Sequence, residues 1–178
     1  MRANNHFLLR ITFAAILALL ALGPGTASGE RNGATSWRLL TVAYPDARDV
    51  DVSLGGSERA LTARGLLRVK WRDNQASVEL EADQMPAAAE LGVAGGQYVL
   101  WAVSQEKQIV SLGPLPLSGK KIKSRAQVPF RIFGLMVTAE SDPQAKSPSG
   151  AVALESRLPL NPNLVLPVFR IEVPLTIP

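Results

Sequence analysis

The sequence predicts an all-β protein, built from short strands as a sandwich or a barrel. Hydrophobic residues make up 47% of the 178-residue chain, which is too much apolar content for a disordered protein. The chain contains 14 glycines and 13 prolines, and so many breakers favour short elements over long helices. Short apolar or alternating runs recur between turn signals, as in a sandwich or a barrel.

The first 28 residues have the order of a secretory signal peptide. Arg2 and Arg10, with no acidic residue, precede an unbroken apolar run at residues 11–22. Glycine, proline and small residues follow it. The run is 12 residues long, whereas a bilayer span takes about 20. We expect cleavage after Ala27 or Ser28, a flexible linker at residues 29–36, and export to the periplasm, cell surface or medium. An uncleaved membrane anchor is the alternative.

Nine runs in the remaining chain are predicted as strands, and residues 86–91 as about one helical turn. Residues 98–103 and 130–137 are apolar on both faces of the pleat, which predicts central strands covered on both sides. Pro167 interrupts the last run and predicts a bulge or an edge strand there. The nine runs are 37–44, 49–54, 65–71, 76–82, 98–104, 108–112, 129–139, 151–155 and 164–173.

One hairpin can be predicted with its register. Asp73-Asn74 suits a two-residue turn because both residue types tolerate positive φ. Val69 then faces Val78 on the core side, and Arg68 faces Glu79 on the solvent side. A slip of one residue would bury the charges, so we expect this register.

The composition removes most catalytic chemistries. Cysteine is absent, and the one histidine, His6, lies in the predicted signal peptide. This removes disulfides, thiolate and imidazole metal sites, a cysteine nucleophile and a histidine base. The basic run at residues 120–125 contains no aromatic residue, so we expect a solvated strand or loop there and no nucleic-acid binding. We expect no enzyme activity, no cofactor and no metal.

Acidic residues recur at every second position in two of the predicted strands. Asp49 and Asp51 share one face, as do Glu79, Glu81 and Asp83. Paired carboxylates could serve glycoside hydrolysis or calcium binding. We expect solvated strand faces instead, because Glu79 already faces a base.

Four motifs appear in a fixed order in the second half of the chain. They are a Tyr-x-x-Trp strand, a Ser-Leu-Gly hairpin, a Val-Thr-x-Glu strand and a Pro-Ser-Gly turn. Their order resembles the C-terminal, extracytoplasmic domain of the anti-sigma-K factor (RskA-type) family. The motif positions, which we expect to be structural, are Tyr98, Trp101, Ser111, Gly113, Thr138, Glu140, Pro148 and Gly150.

The resemblance implies an immunoglobulin-like antiparallel β-sandwich over residues 37–157, with residues 158–178 adding a last strand that completes or edges it. The family's cytoplasmic sigma-binding domain is missing, because at most ten residues precede the apolar run. Ser149 also stands where the family has threonine. The implied function is that of a non-enzymatic sensor or interaction module with a protein partner in the cell envelope. The resemblance also implies an accessory role in sigma-factor regulation and hence in transcription. The alternatives are a structural or adhesion sandwich, and a module that binds a carbohydrate or another small ligand.

Two candidate surfaces remain. Tyr98 and Trp101 could form a ligand platform, but at i and i+3 on a strand they point to opposite faces, so we expect two core anchors. Leu115 and Leu117, each next to prolines, are the candidate contact surface for a protein partner. The alternative is that these leucines cap the open end of the core.

Overall fold

The computed structural model describes residues 35–175, which form an all-β fold with a single 3₁₀ turn at Ala88–Leu91. The predicted signal peptide and residues 29–34 of the predicted linker lie outside the described residues. The ten strands are β1 (Thr35–Ala43), β2 (Asp49–Gly56), β3 (Arg64–Arg72), β4 (Gln75–Asp83), β5 (Gln97–Ser104), β6 (Ile109–Leu115), β7 (Ile122–Val128), β8 (Ile132–Glu140), β9 (Ala151–Pro159) and β10 (Val168–Leu175).

All ten strands belong to one antiparallel sheet that curls nearly into a barrel. One path through the hydrogen-bonded neighbours is β10-β1-β8-β9-β2-β3-β4-β7, and β8 also pairs with β5, which pairs with β6. Strands β6 and β7 approach each other without a ladder between them in the described chain. This seam is where the barrel stays open.

Two hydrophobic clusters lie on the two faces of the central strands. On β5, Tyr98 and Leu100 point into the barrel, whereas Val99 and Trp101 point to its outer side. The outer cluster is covered by residues of β1 and β10, including Leu39, Ile171 and Val173. Strands β5 and β8 are therefore covered on both faces, as predicted.

The predicted β3–β4 hairpin is confirmed. Val69 pairs with Val78 and Arg68 with Glu79, around a turn in which Asp73 and Asn74 have φ of 52° and 60°. Both valines are fully buried. Burial of each such side chain stabilises the fold by about 1.5–3 kcal/mol, which is why the alternation determines the register.

Strand β8 has one edge that is shared by two partners. Its first residues pair with β1, at Val42 and Ala43, and residues from Met136 onward pair with β9. Leu135 lies at this fork. There the buried hydroxyl of Ser156 accepts the Leu135 N–H at 2.7 Å and donates to the Leu135 carbonyl at 3.0 Å. The side chain thus replaces the strand partner that Leu135 lacks on this edge.

Strand β1 crosses over β8 at Gly134. A Cβ atom at this position would lie 2.2 Å from the Leu40 carbonyl oxygen. Only glycine permits this close approach of two backbones, and the outer cluster depends on it.

Several predicted boundaries need correction. Strand β7 was expected only as a solvated strand or loop, and β1 begins at Thr35, inside the predicted linker. The last strand begins at Val168, directly after Pro167, and lies at a sheet edge as predicted. The predicted helical turn is present. None of the helices in the described residues is long and apolar enough to cross a membrane.

Candidate functional site

The motif residues on β5 and β8 form a buried hydrogen-bond chain. The Trp101 indole N–H donates to the Thr138 hydroxyl at 2.7 Å, and that hydroxyl donates to Glu140 Oε1 at 2.5 Å. All three side chains are at most 1% exposed. Because a buried polar group costs free energy unless it is hydrogen-bonded, this chain satisfies the polar atoms of the outer cluster.

Glu140 also holds the turn before β9. Its carboxylate accepts the Ser149 backbone N–H at 3.1 Å and the Ser149 hydroxyl at 2.8 Å. Pro148 is buried beside this contact. A Cβ on Gly150 would lie 1.7 Å from the Ala139 carbonyl oxygen, so only glycine fits where β9 begins. The geometry gives these motif residues a structural role in closing the turn.

Tyr98 anchors the helical turn from inside the barrel. Its hydroxyl donates to the Pro86 carbonyl at 2.7 Å. Burial, with a smaller contribution from Glu90, raises the pKa of Tyr98 to about 12. Tyr98 and Trp101 thus form two separate core anchors and no common platform.

The remaining motif positions lie on β6. Ser111 is exposed, and its hydroxyl accepts the Gly113 N–H at 3.4 Å. The bulge in the β5–β6 ladder falls between Leu100 and Trp101, opposite these two residues. No contact of Ser111 points to a chemical role.

The predicted contact surface needs correction at Leu115. This side chain is 3% exposed and packs in the barrel core, because the strand alternation at the end of β6 turns it inward. Leu117 is 37% exposed. A shallow cleft of about 360 Å³ runs past both residues and Tyr98. Only Leu117 is available for a contact at this place.

The outer face of β2, β3, β4 and β7 carries alternating acidic and basic columns. Arg68 pairs with Asp51 at 3.2 Å and Glu79 pairs with Arg125 at 3.0 Å. Arg68 and Glu79 are therefore neighbours in the ladder but not ion-pair partners, contrary to the expectation from the hairpin. The other pairs on this face are Lys70–Asp49, Lys121–Asp83 and Lys123–Glu81.

The carboxylates on this face are held by bases. A hydrogen bond from Lys123 and its charge lower the pKa of Glu81, and the same contact raises the pKa of Lys123. Within residues 35–175, no three histidine, cysteine, aspartate or glutamate side chains are grouped so as to hold a metal ion. The face is a solvated array of ion pairs, each of which adds little stability.

A group of exposed apolar side chains was not predicted from the sequence. Leu158 is 61%, Leu160 54% and Val165 98% exposed, and all three lie in or beside the connection from β9 to β10. The Leu160 N–H donates to the Asp51 carbonyl at 2.8 Å, and the Asn161 side chain accepts the Asp51 N–H at 2.8 Å. The segment is thus held against β2. The sequence does contain a signal for this segment, because prolines at positions 159, 162 and 167 separate its leucines.

We call residues 158–166 the apolar loop. Exposed apolar side chains that cluster in one segment are typical of contact surfaces, whereas single ones are ordinary. Comparison of the chain with protein-family models, with curated proteins and with solved structures finds no match.

Proposed function

We propose that this chain is a non-enzymatic protein-interaction module of the cell envelope, which contacts its partner through the apolar loop. The observation that carries the proposal is the exposure of Leu158, Leu160 and Val165 in a segment whose backbone is fixed against β2. A fixed backbone lowers the entropy cost of binding, and apolar side chains supply the contact.

The position of the apolar loop suits such a contact. Strand β1 pairs with β10 so that Thr35 lies opposite Leu175, and Val42 lies opposite Val168. The apolar loop precedes Val168 and is therefore near the far end of β1, about 24 Å from Thr35 at 3.4 Å per residue. The apolar loop therefore lies at the end of β1 opposite to Thr35, the first described residue.

The resemblance to the outer domain of RskA-type anti-sigma factors supports an accessory role in sigma-factor regulation. The motif residues Trp101, Thr138 and Glu140 lie in one buried network. The resemblance also leads us to propose an immunoglobulin-like fold. In this arrangement β1 and β10, which pack on the outer face of β5 and β8, form the second layer. Fold alone does not determine function, so the proposal depends on the apolar loop.

The experiment is affinity capture from the envelope fraction with matched variants. Leu158→Ser combined with Val165→Ser removes two of the three exposed apolar side chains without touching the core. Leu61→Ser is the control, because Leu61 is 80% exposed in the β2–β3 loop, at the other end of β2. We expect a defined envelope protein, identified by mass spectrometry, to be captured by the wild type and the control and lost from the double variant. Equal capture by all three proteins would refute the contact.

A further inference from the structure

Strand β1 has a free edge next to a cleft. It pairs with β10 from Thr35 to Val42, but its other edge pairs with β8 only at Val42 and Ala43. Residues 36–41 therefore have no strand partner on this edge among the described residues. An unpaired strand edge presents N–H and C=O groups to any extended chain that approaches it.

The direction of these backbone groups follows from two hydrogen bonds at the end of β1. Ala43 donates its N–H to Pro167, on the β10 side, and Tyr44 donates its N–H to Arg131, on the β8 side. Successive residues of a strand alternate between its two edges. The N–H and C=O groups of Leu40, Arg38 and Ser36 therefore point away from β10. The Leu40 carbonyl packs against Gly134 of β8, so Arg38 and Ser36 are the residues that present these groups at the free edge.

A cleft of about 470 Å³ runs along this edge. Residues 36–40 line one side and residues 155–157 of β9 line the other. The side chains of consecutive strand residues alternate between two faces. A cleft lined by five consecutive residues therefore follows the edge of the strand. The cleft lies between β1 and β9, which pair with β8 on the two sides of the fork at Leu135.

The side chains around the cleft favour an acidic ligand. The Glu155 carboxylate is already engaged, because it accepts the Trp37 indole N–H and pairs with Arg157 at 3.0 Å. Arg38 and Arg170 also line or border the cleft, and neither forms an ion pair with another residue of the described range. Glu58 is the one other acid in the lining. The cleft lining therefore carries three arginines against two glutamates, and Glu172 of β10 lies opposite Arg38 in the ladder.

We propose that the cleft binds an extended, acidic segment of a partner protein, which adds as a strand to the free edge of β1. Backbone hydrogen bonds to Ser36 and Arg38 supply the pairing, as in other cases of strand addition. Arg38 and Arg170 supply the charge selection through carboxylate contacts. The inference deepens the proposed function, since it names the chemistry of the partner's segment and a second place of contact.

The test measures binding of fluorescein-labelled seven-residue peptides to the full chain by anisotropy. The probe alternates valine and glutamate, and the charge control alternates valine and lysine. A third peptide carries N-methyl groups on alternate residues, which removes backbone donors and keeps the charges. We expect the acidic probe to bind at least tenfold more tightly than either of the other two.

Two variants locate the site. Ser36→Pro removes an N–H that points to the free edge, so it costs no hydrogen bond to β10, and an edge strand tolerates proline. Arg38→Gln removes the charge without placing a second acid opposite Glu172 of β10, and Arg72→Gln, on the exposed end of β3, is its control. We expect both β1 variants to weaken the acidic probe at least tenfold with an unchanged melting temperature, and the control to leave binding within about twofold.

Equal binding of the methylated probe would overturn strand addition, and equal binding of the lysine probe would overturn charge selection. Preferential binding of a peptide with the sequence of residues 25–34 would make the occupant the chain's own segment and overturn the partner proposal. Failure of all peptides, with envelope capture still dependent on the apolar loop, would refute this inference alone. Peptide binding without such capture would refute the apolar loop as the contact.

Discussion

The arrangement of β1, β8 and β9 depends on the hydroxyl of Ser156, which replaces a strand partner at the fork. It is 3% exposed and forms two hydrogen bonds to the backbone of Leu135, at 2.7 and 3.0 Å. The substitution Ser156→Ala removes both partners at once. A buried polar group left without a partner costs about 1–3 kcal/mol, so we expect a loss of about 2–4 kcal/mol in the free energy of unfolding.

Urea unfolding followed by circular dichroism measures this loss. At about 2–4 °C per kcal/mol for a chain of this size, the melting temperature should fall by roughly 5–15 °C. The m-value should stay constant, because the surface exposed on unfolding does not change. Ser77→Ala, on the exposed face of β4, is the control and should stay within about 0.5 kcal/mol of wild type.

Thr41 gives the opposite case on the neighbouring strand. Its hydroxyl is buried and has no hydrogen-bond partner within the described part of the chain. Thr41→Val should therefore raise the free energy of unfolding by about 1 kcal/mol, since it removes an unsatisfied group at nearly constant volume. A loss below 1 kcal/mol in Ser156→Ala, or a loss in Thr41→Val as large as in Ser156→Ala, would refute the hydrogen-bond argument.

Three further predictions follow from the charged face and the core. Val78→Asp should lower the free energy of unfolding by several kcal/mol, because it places an unpaired charge in the core. Glu79→Ala should lower it by less than about 1 kcal/mol, as measured by urea unfolding. Comparable effects of the two substitutions would contradict the register. Lys123→Ala should raise the pKa of Glu81 toward its ordinary value in a carboxyl NMR titration, and an unchanged pKa would contradict the ion pair. The pKa of Tyr98 is raised to about 12 from 10.0. The stability that Tyr98 contributes is therefore complete below pH 10 and is lost as the pH rises through 12. Tyr98→Phe should flatten this decline in unfolding measured from pH 9 to 12, and an equally steep decline in the variant would refute the argument.

Local patterns predicted the parts of the fold that depend on neighbours in sequence. The β3–β4 hairpin followed from alternation and a two-residue turn, both of which lie within about twenty residues. The burial of Tyr98 and Trp101 on opposite faces followed from their spacing alone. Strand β7 was predicted only as a solvated strand or loop, because its middle alternates polar residues with Ser124 and Ala126, which gives a weak apolar signal.

The rest depends on contacts between distant segments. Arg68 faces an acid on each side, and only the placement of β2 shows that Asp51 is its ion-pair partner. The fork at Leu135 requires Ser156 to arrive from another strand, which no local pattern shows. The single curled sheet, in place of two separate ones, likewise follows from β8 sharing one edge between β1 and β9.

Site-specific photo-cross-linking in intact cells tests the central claim most directly. A photoreactive amino acid at position 165, in the apolar loop, should form a discrete adduct with one envelope protein. The same amino acid at position 77, on the charged face, should form none, although both sites are exposed. Adducts of equal yield at both positions, or none at position 165 in exported protein, would contradict the account of this chain as an interaction module.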